Sequence, residues 1–300
     1  MTGSARRMSA HGPWRILRGT AAALAGLVLL GSCTGAAPLH AGKSPFLSVL
    51  PSPSPPPSPT LPPIIWKPQI KLSFDYEQGV DPGDRTLIRG ALRQAVHLFP
   101  YPHRRAPRPA LIAVFVHSGN GELLRPNEIA EVRRQSVHVF AGGDGWRKSN
   151  SVQRRQAMFH EWVHIVQQLE SPYGLGPVWL TEGSAEWAAW DAMIRKGLAS
   201  RSSIEDLYVR GAQLAAPDRK LKELEGQRFY RNDPDGLDYA LGYVAVDFLN
   251  PARGWRTIVS FYRALGDGYH WREDFRSVFG ISVTRFYRSF EGDRASGFAS

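Results

Sequence analysis

The residues whose types and spacing could do chemistry lie closest together between Met158 and Gln168, MFHEWVHIVQQ, where His160, Glu161 and His164 stand in the order H-E-x-x-H. On a helix of 3.6 residues per turn, positions four apart stack on one face, so both imidazoles can turn a ring nitrogen toward one metal ion. Glu161 lies beside them, placed to take a proton from a water that such an ion has acidified and to pass it to a leaving amine. Chance matches to this pattern in a chain of this size are rare, on the order of a per cent. The helix wheel also separates the histidines from the apolar side. Val152, Phe159, Trp162, Val163, Val166 and Leu169 form one stripe, and His160 and His164 fall beyond its edge.

Two histidines do not fill a tetrahedral site, and a catalytic zinc takes a third protein ligand while keeping one position open. Glu182 is the candidate. Seventeen residues separate it from His164, enough for the first helix to end near Pro172 or Gly174 and a second to begin with Thr181 as its N-cap. The stretch around Glu182, Pro177 to Trp187, reads PVWLTEGSAEW. Joined to HEWVH it resembles the gluzincin metallopeptidases, the superfamily of thermolysin and aminopeptidase N, whose HExxH helix is followed by a glutamate ligand on a second helix, often in the phrase WLxEGxAE. Trp179, Leu180, Glu182, Gly183, Ala185 and Glu186 stand at those positions.

The resemblance implies one zinc ion per chain on His160, His164 and Glu182, with Glu161 as the catalytic base. It also implies that Glu186, one helical turn beyond Glu182, accepts the second N–H of His160 and fixes its orientation. Tyr239-Ala240-Leu241-Gly242 is similar to the YxxG segment of aminopeptidase N relatives, in which the tyrosine donates a hydrogen bond to the oxyanion. Tyr243, one turn on, could serve instead, and both rings could equally be core aromatics.

The elements that must position these residues follow from periodicity. Lys71 to Tyr76 alternates as a strand does, and Asp84 to Phe99 places Leu87, Ile88, Ala91, Leu92, Ala95 and Phe99 at helical spacing. Leu111 to Val116 is an apolar run of strand length, expected to be buried on both faces. Ser136 to Ala141 reads as a third strand. In gluzincins an edge strand here forms the upper rim of the cleft and pairs with an extended substrate, and the same use is expected of it. His138 on that strand reads as an ordinary strand-face histidine, since the ligand set is already full. Gln227 to Gly236 reads as a loop bordering the cleft, Asp238 to Leu249 as a helix, and the C-terminal part as two further helices.

Ahead of this domain, residues 1–32 carry four arginines and no acidic residue, followed by an apolar run from Ala21 to Leu30. A charged segment before a short apolar one describes a secretory signal rather than a membrane span. Leu30-Gly31-Ser32-Cys33 resembles the bacterial lipobox, so cleavage before Cys33 and its lipidation are expected. Cys33 is the sole cysteine, which leaves the exported domain to be held together by its core without disulfides. Thr34 to Pro63 is a Pro/Ser-rich tether. Its stretch PSPSPPPSPTLPP favours extended polyproline II and reaches about 40 Å.

The chain has a net charge of +10, and loss of the four signal arginines leaves it still basic. A basic domain tethered outside the membrane is drawn to anionic head groups or acidic wall polymers, whereas nucleic acid is not expected there. The expected organisation is therefore a signal peptide (1–32), a tether (33–63) and a catalytic domain (64–300). The fold class is α+β and thermolysin-like: a small sheet with the active-site helix, then a mostly helical lobe. The resemblance covers Lys71 to Asp293 in architecture, though only HEWVH and WLTEGSAEW are specific. The function it implies is a lipid-anchored, extracytoplasmic zinc metallopeptidase acting on peptide or protein substrates. The alternatives are a cell-wall peptide amidase on the same site and a non-catalytic metal-binding lipoprotein.

Overall fold

Alternation in IKLSFDY and the apolar run ALIAVFVH form two parallel neighbouring strands, β1 (Ile70–Tyr76) and β2 (Ala110–His117), in the computed structural model. The structure describes residues 70–100, 110–119, 128–214, 219–226, 237–250, 254–268 and 270–298. The expected signal segment, Cys33, the tether and the loop 227–236 lie outside these. Between β1 and β2 runs helix α1 (Pro82–Leu98), whose start is set by Asp81. Its carboxylate accepts the backbone N–H groups of Gly83 at 2.7 Å and Asp84 at 3.3 Å, and Pro82 occupies the first helical position.

Among the described residues the sheet has four strands in the order β1-β2-β4-β3. β4 (Ser136–Phe140) is parallel to β2, and β3 (Ala130–Arg133) is antiparallel to β4. This corrects the expectation that Ser136–Ala141 is the rim strand, because β4 is paired on both sides and β3 takes the edge. The four residues AEVR are too short to show a period, and the turn that folds them back has no glycine or asparagine. Arg134 (φ 47°) and Gln135 (φ 63°) adopt the left-handed conformation instead, and the backbone N–H of Gln135 donates to the side chain of Gln168 at 3.1 Å.

Val114, Val116, Val137 and Val139 form one face of the sheet, fully buried against helices. The other face carries Phe115, His117 and His138, which are half-buried. Helix α2 (Asp144–Lys148) leads into α3 (Ser151–Glu170), which opens on a capping box between Asn150 and Gln153. α3 packs against α1, β3 and β4 on one side and against α4 (Val178–Arg195) and α7 (Gly254–Gly268) on the other. Every residue from Gln156 to Gln167 is consequently buried, including the flank that the helix wheel marks as polar. That flank is a second interface, and the histidines lie in it.

α4 begins at Val178 with Pro177 as its cap, so Thr181 is not the N-cap. Its hydroxyl donates to the carbonyls of Leu175 (2.8 Å) and Pro177 (3.2 Å) from within the first turn. α5 (Arg201–Leu214) packs on α6 (Leu237–Leu249), and α6 packs closely across α4. The C-terminal part holds three helices rather than two: α7, α8 (Trp271–Phe279) and α9 (Val283–Ala295). Gly280, at φ 75°, ends α8 in a left-handed turn, and Ser282 caps α9. Trp179 stacks on Phe286 of α9 at 5.5 Å and donates its N–H to Tyr287, which locks these helices over the start of α4. One continuous apolar core joins the sheet to the helices. The architecture is mixed α+β with helices predominant, and no helix among the described residues is long and apolar enough to cross a membrane.

Candidate metal centre

Four residues apart on α3, His160 and His164 place their Nε2 atoms 3.0 Å from each other. Glu182, in the second turn of α4, brings one carboxylate oxygen to 3.4 Å from His160 Nε2 and 3.3 Å from His164 Nε2. All three side chains are buried. Around a tetrahedral ion with bonds of ~2.0–2.1 Å, neighbouring ligand atoms stand about 3.3 Å apart. The group can hold a metal ion.

The hydrogen bonds behind these atoms show what kind of occupant they suit. His160 Nδ1 donates to Glu186 Oε2 at 2.7 Å. His164 Nδ1 lies 2.7 Å from Oε1 of Gln167, whose amide nitrogen donates to the Thr181 carbonyl (2.9 Å) and to Ser184 Oγ (3.0 Å). With its N–H groups so committed, Gln167 can present only its oxygen to His164. Nδ1 of each ring is thereby committed to an acceptor, which leaves each Nε2 facing the centre, where the neutral ring presents a lone pair. Among the described residues nothing but the two rings, at 3.3–3.4 Å from Oε2, approaches the Glu182 oxygens as a donor. Two imidazole nitrogens and a carboxylate oxygen thus converge in a buried space, an arrangement that calls for positive charge at its centre, from an ion or from the rings themselves.

The same electrostatics act on the ionisation of the three groups. Burial opposes charge on His160 and His164, yet Glu182 holds both above their ordinary value, with Glu186 adding to the effect on His160. Burial likewise opposes charge on Glu182, and the two histidines hold it down at about 2. Glu161, next to His160 on α3, is pushed up to about 7 by burial, against the pull of His164 and His160 and with the like charges of Glu182 and Glu131 nearby.

The expected positions are thus brought together, with Glu186 behind His160. Of the two tyrosines, Tyr239 lies beside the centre, its ring 6.2 Å from that of His160. Tyr243 stacks instead on Tyr208 of α5 at 4.1 Å. His138 is not drawn in. Its Nδ1 lies 3.2 Å from His117 Nε2, its Nε2 lies 3.1 Å from Ser136 Oγ, and its ring stacks on Phe115. Sequence reasoning passed over Gln167, although its place three residues after His164 on one helix is a readable signal. It also passed over Glu131, buried on β3 in an ion pair with Arg133, for which no local pattern existed. No known protein-family model matches the chain, and no curated protein matches it.

Proposed function

We propose that the chain is a zinc-dependent metallopeptidase of the gluzincin type, built on a thermolysin-like catalytic domain. The observation that carries this reading is the convergence of His160 Nε2, His164 Nε2 and a Glu182 oxygen at 3.0–3.4 Å in a buried space. When bound there, zinc supplies Lewis acidity, polarising a scissile carbonyl and acidifying a water. Glu161, next to His160 on α3, accepts the proton of the attacking water and returns it to the leaving amine. Tyr239 donates its hydroxyl hydrogen to the carbonyl oxygen as negative charge develops on it. Glu186 and Gln167 hold the Nδ1 hydrogens and so keep both imidazoles facing inward.

Residues 1–63 support a lipid-anchored, extracytoplasmic placement, which mass analysis of the mature N-terminus decides. The test of the chemistry is Glu161→Gln. That variant should retain about one zinc per chain and lose cleavage of a peptide library, because the amide keeps the shape of the side chain without acting as a base. Cleavage at the full rate in this variant would sink the mechanism. Assaying casein beside peptidoglycan stem peptides separates a general peptidase from a wall-peptide amidase.

A further inference from the structure

Glu186 is 2% exposed, and both of its oxygens are engaged. Oε2 accepts the Nδ1 hydrogen of His160 at 2.7 Å. Oε1 accepts two donors, the Tyr208 hydroxyl and the Trp190 indole N–H, the latter at 3.0 Å. Trp190 lies four residues beyond Glu186 on α4 and moves with it. Tyr208 comes from α5, a helix that supplies no ligand.

We propose that Tyr208 is a positioning residue of the metal centre, holding the Glu186 carboxylate in the orientation from which it aims His160. The proposal rests on the reading of His160, His164 and Glu182 as the metal ligands. A glutamate side chain tied only at His160 can rotate about its terminal carbon–carbon bond, and a second anchor on the other oxygen stops that rotation. The Tyr208 hydroxyl is itself aimed. The single N–H of Trp190 is shared between Glu186 Oε1 and the Tyr208 oxygen, which lies 2.7 Å from Nε1, and this directs the hydroxyl hydrogen to Glu186. Its ring is gripped from the far side by Tyr243 of α6, stacked at 4.1 Å with 28° between the planes. The support of His160 thus runs from α6 through α5 to α4, three layers deep. That of His164 runs through Gln167 to the Thr181 carbonyl and to Ser184 of α4, whose hydroxyl meets that of Tyr262 on α7.

A phenylalanine fills the same volume, so packing alone does not require the hydroxyl. Tyr208→Phe isolates it. In competition titrations of Zn2+ against a chromophoric chelator, Tyr208→Phe should weaken zinc binding by about 10-fold, and Glu186→Ala by about 10- to 100-fold. The double variant should bind no more weakly than Glu186→Ala alone, because Tyr208 acts only through Glu186. Unchanged affinity in Tyr208→Phe, or losses that add in the double variant, overturns the proposal.

A second readout needs no metal. In the metal-free protein the His160 Nδ1–H resonance reports the bond to Glu186 by NMR, and it should shift in Tyr208→Phe. An unmoved resonance overturns the proposal as surely as unmoved affinity does. If the wild-type protein takes up no zinc, the metallopeptidase reading falls, and the resonance still decides the role of Tyr208. Should Tyr208→Phe not fold, Tyr243→Leu takes its place, since it removes the ring stacked on Tyr208 at 4.1 Å and leaves the hydrogen bonds of Glu186 untouched. A loss of zinc affinity that disappears on the Glu186→Ala background supports the clamp, and unchanged affinity overturns it.

Discussion

Gly183 and Gly242 meet backbone to backbone where α4 crosses α6: a β-carbon on Gly183 would fall inside contact distance of the Gly242 carbonyl. The crossing matters to the site because Glu182 adjoins Gly183 and Tyr239 lies one turn before Gly242. Helices that touch this closely carry both side chains to the histidines of α3. Gly183→Ala should therefore cost at least about 2 kcal/mol, since the obstacle is main chain and cannot rotate away. The melting temperature should fall by roughly 4–8 °C. Zinc affinity should fall with it, because α4 must retreat from α6. A thermal melt indistinguishable from wild type would show that the helices cross with more room than this.

Glu182 and Glu186 stand one turn apart on α4 in unequal positions. Glu182→Ala removes an atom 3.3–3.4 Å from both Nε2 atoms, and the two histidines left should lose zinc on dialysis. Glu186→Ala removes only the acceptor behind His160, with the smaller, 10- to 100-fold loss expected of such a partner. Metal content after dialysis, with circular dichroism to confirm folding, separates the two. Retention by Glu182→Ala together with loss by Glu186→Ala would reverse the assignment.

Tyr239→Phe should lower kcat with little change in KM, because a donor aimed at the oxyanion acts in the transition state. Steady-state kinetics on a peptide substrate measures both. If KM rises while kcat holds, Tyr239 contributes only to ground-state binding and the oxyanion donor lies elsewhere.

His138 offers a test remote from the metal centre. Burial, assisted by the charges of Arg133 and His117, lowers its pKa from the ordinary histidine value to about 4. Between those values the unfolded chain takes up a proton that the folded protein refuses, so acid destabilises the fold. Stability is whole above about pH 6.5 and is lost as pH falls toward 4. His138→Phe keeps a ring against Phe115 and removes the titration. Relative to this variant the wild-type protein should lose about 1 kcal/mol between pH 7.5 and pH 5, a figure that allows for solvent screening of the half-buried ring. Denaturant melts at the two pH values measure it, and an identical difference at both refutes it.

Much of this protein is local and so was open to reading in one dimension. The four-residue step from His160 to His164, the same step from Glu182 to Glu186, and the alternation of β1 are properties of short segments. Helix and strand geometry turn such spacings into shared faces wherever the segment is placed. Other features depend on what a segment docks against. Whether Ser136–Phe140 is an edge or an interior strand was decided by four residues folding back through a turn without glycine. The start of α4 was set by Pro177 and not by Thr181, because the Thr181 hydroxyl finds carbonyls of its own connecting segment. Tyr239 and Tyr243, alike in sequence, are set apart by the packing of α5 on α6, which takes one ring and leaves the other beside His160. The histidines lay off the apolar stripe and were still buried, since α4 and α7 cover the flank that the sheet does not. By itself the sequence determined which side chains could hold a metal. Tertiary structure decided what surrounds them, because the partners of a buried polar atom come from whichever elements close over it, and no spacing along the chain encodes that.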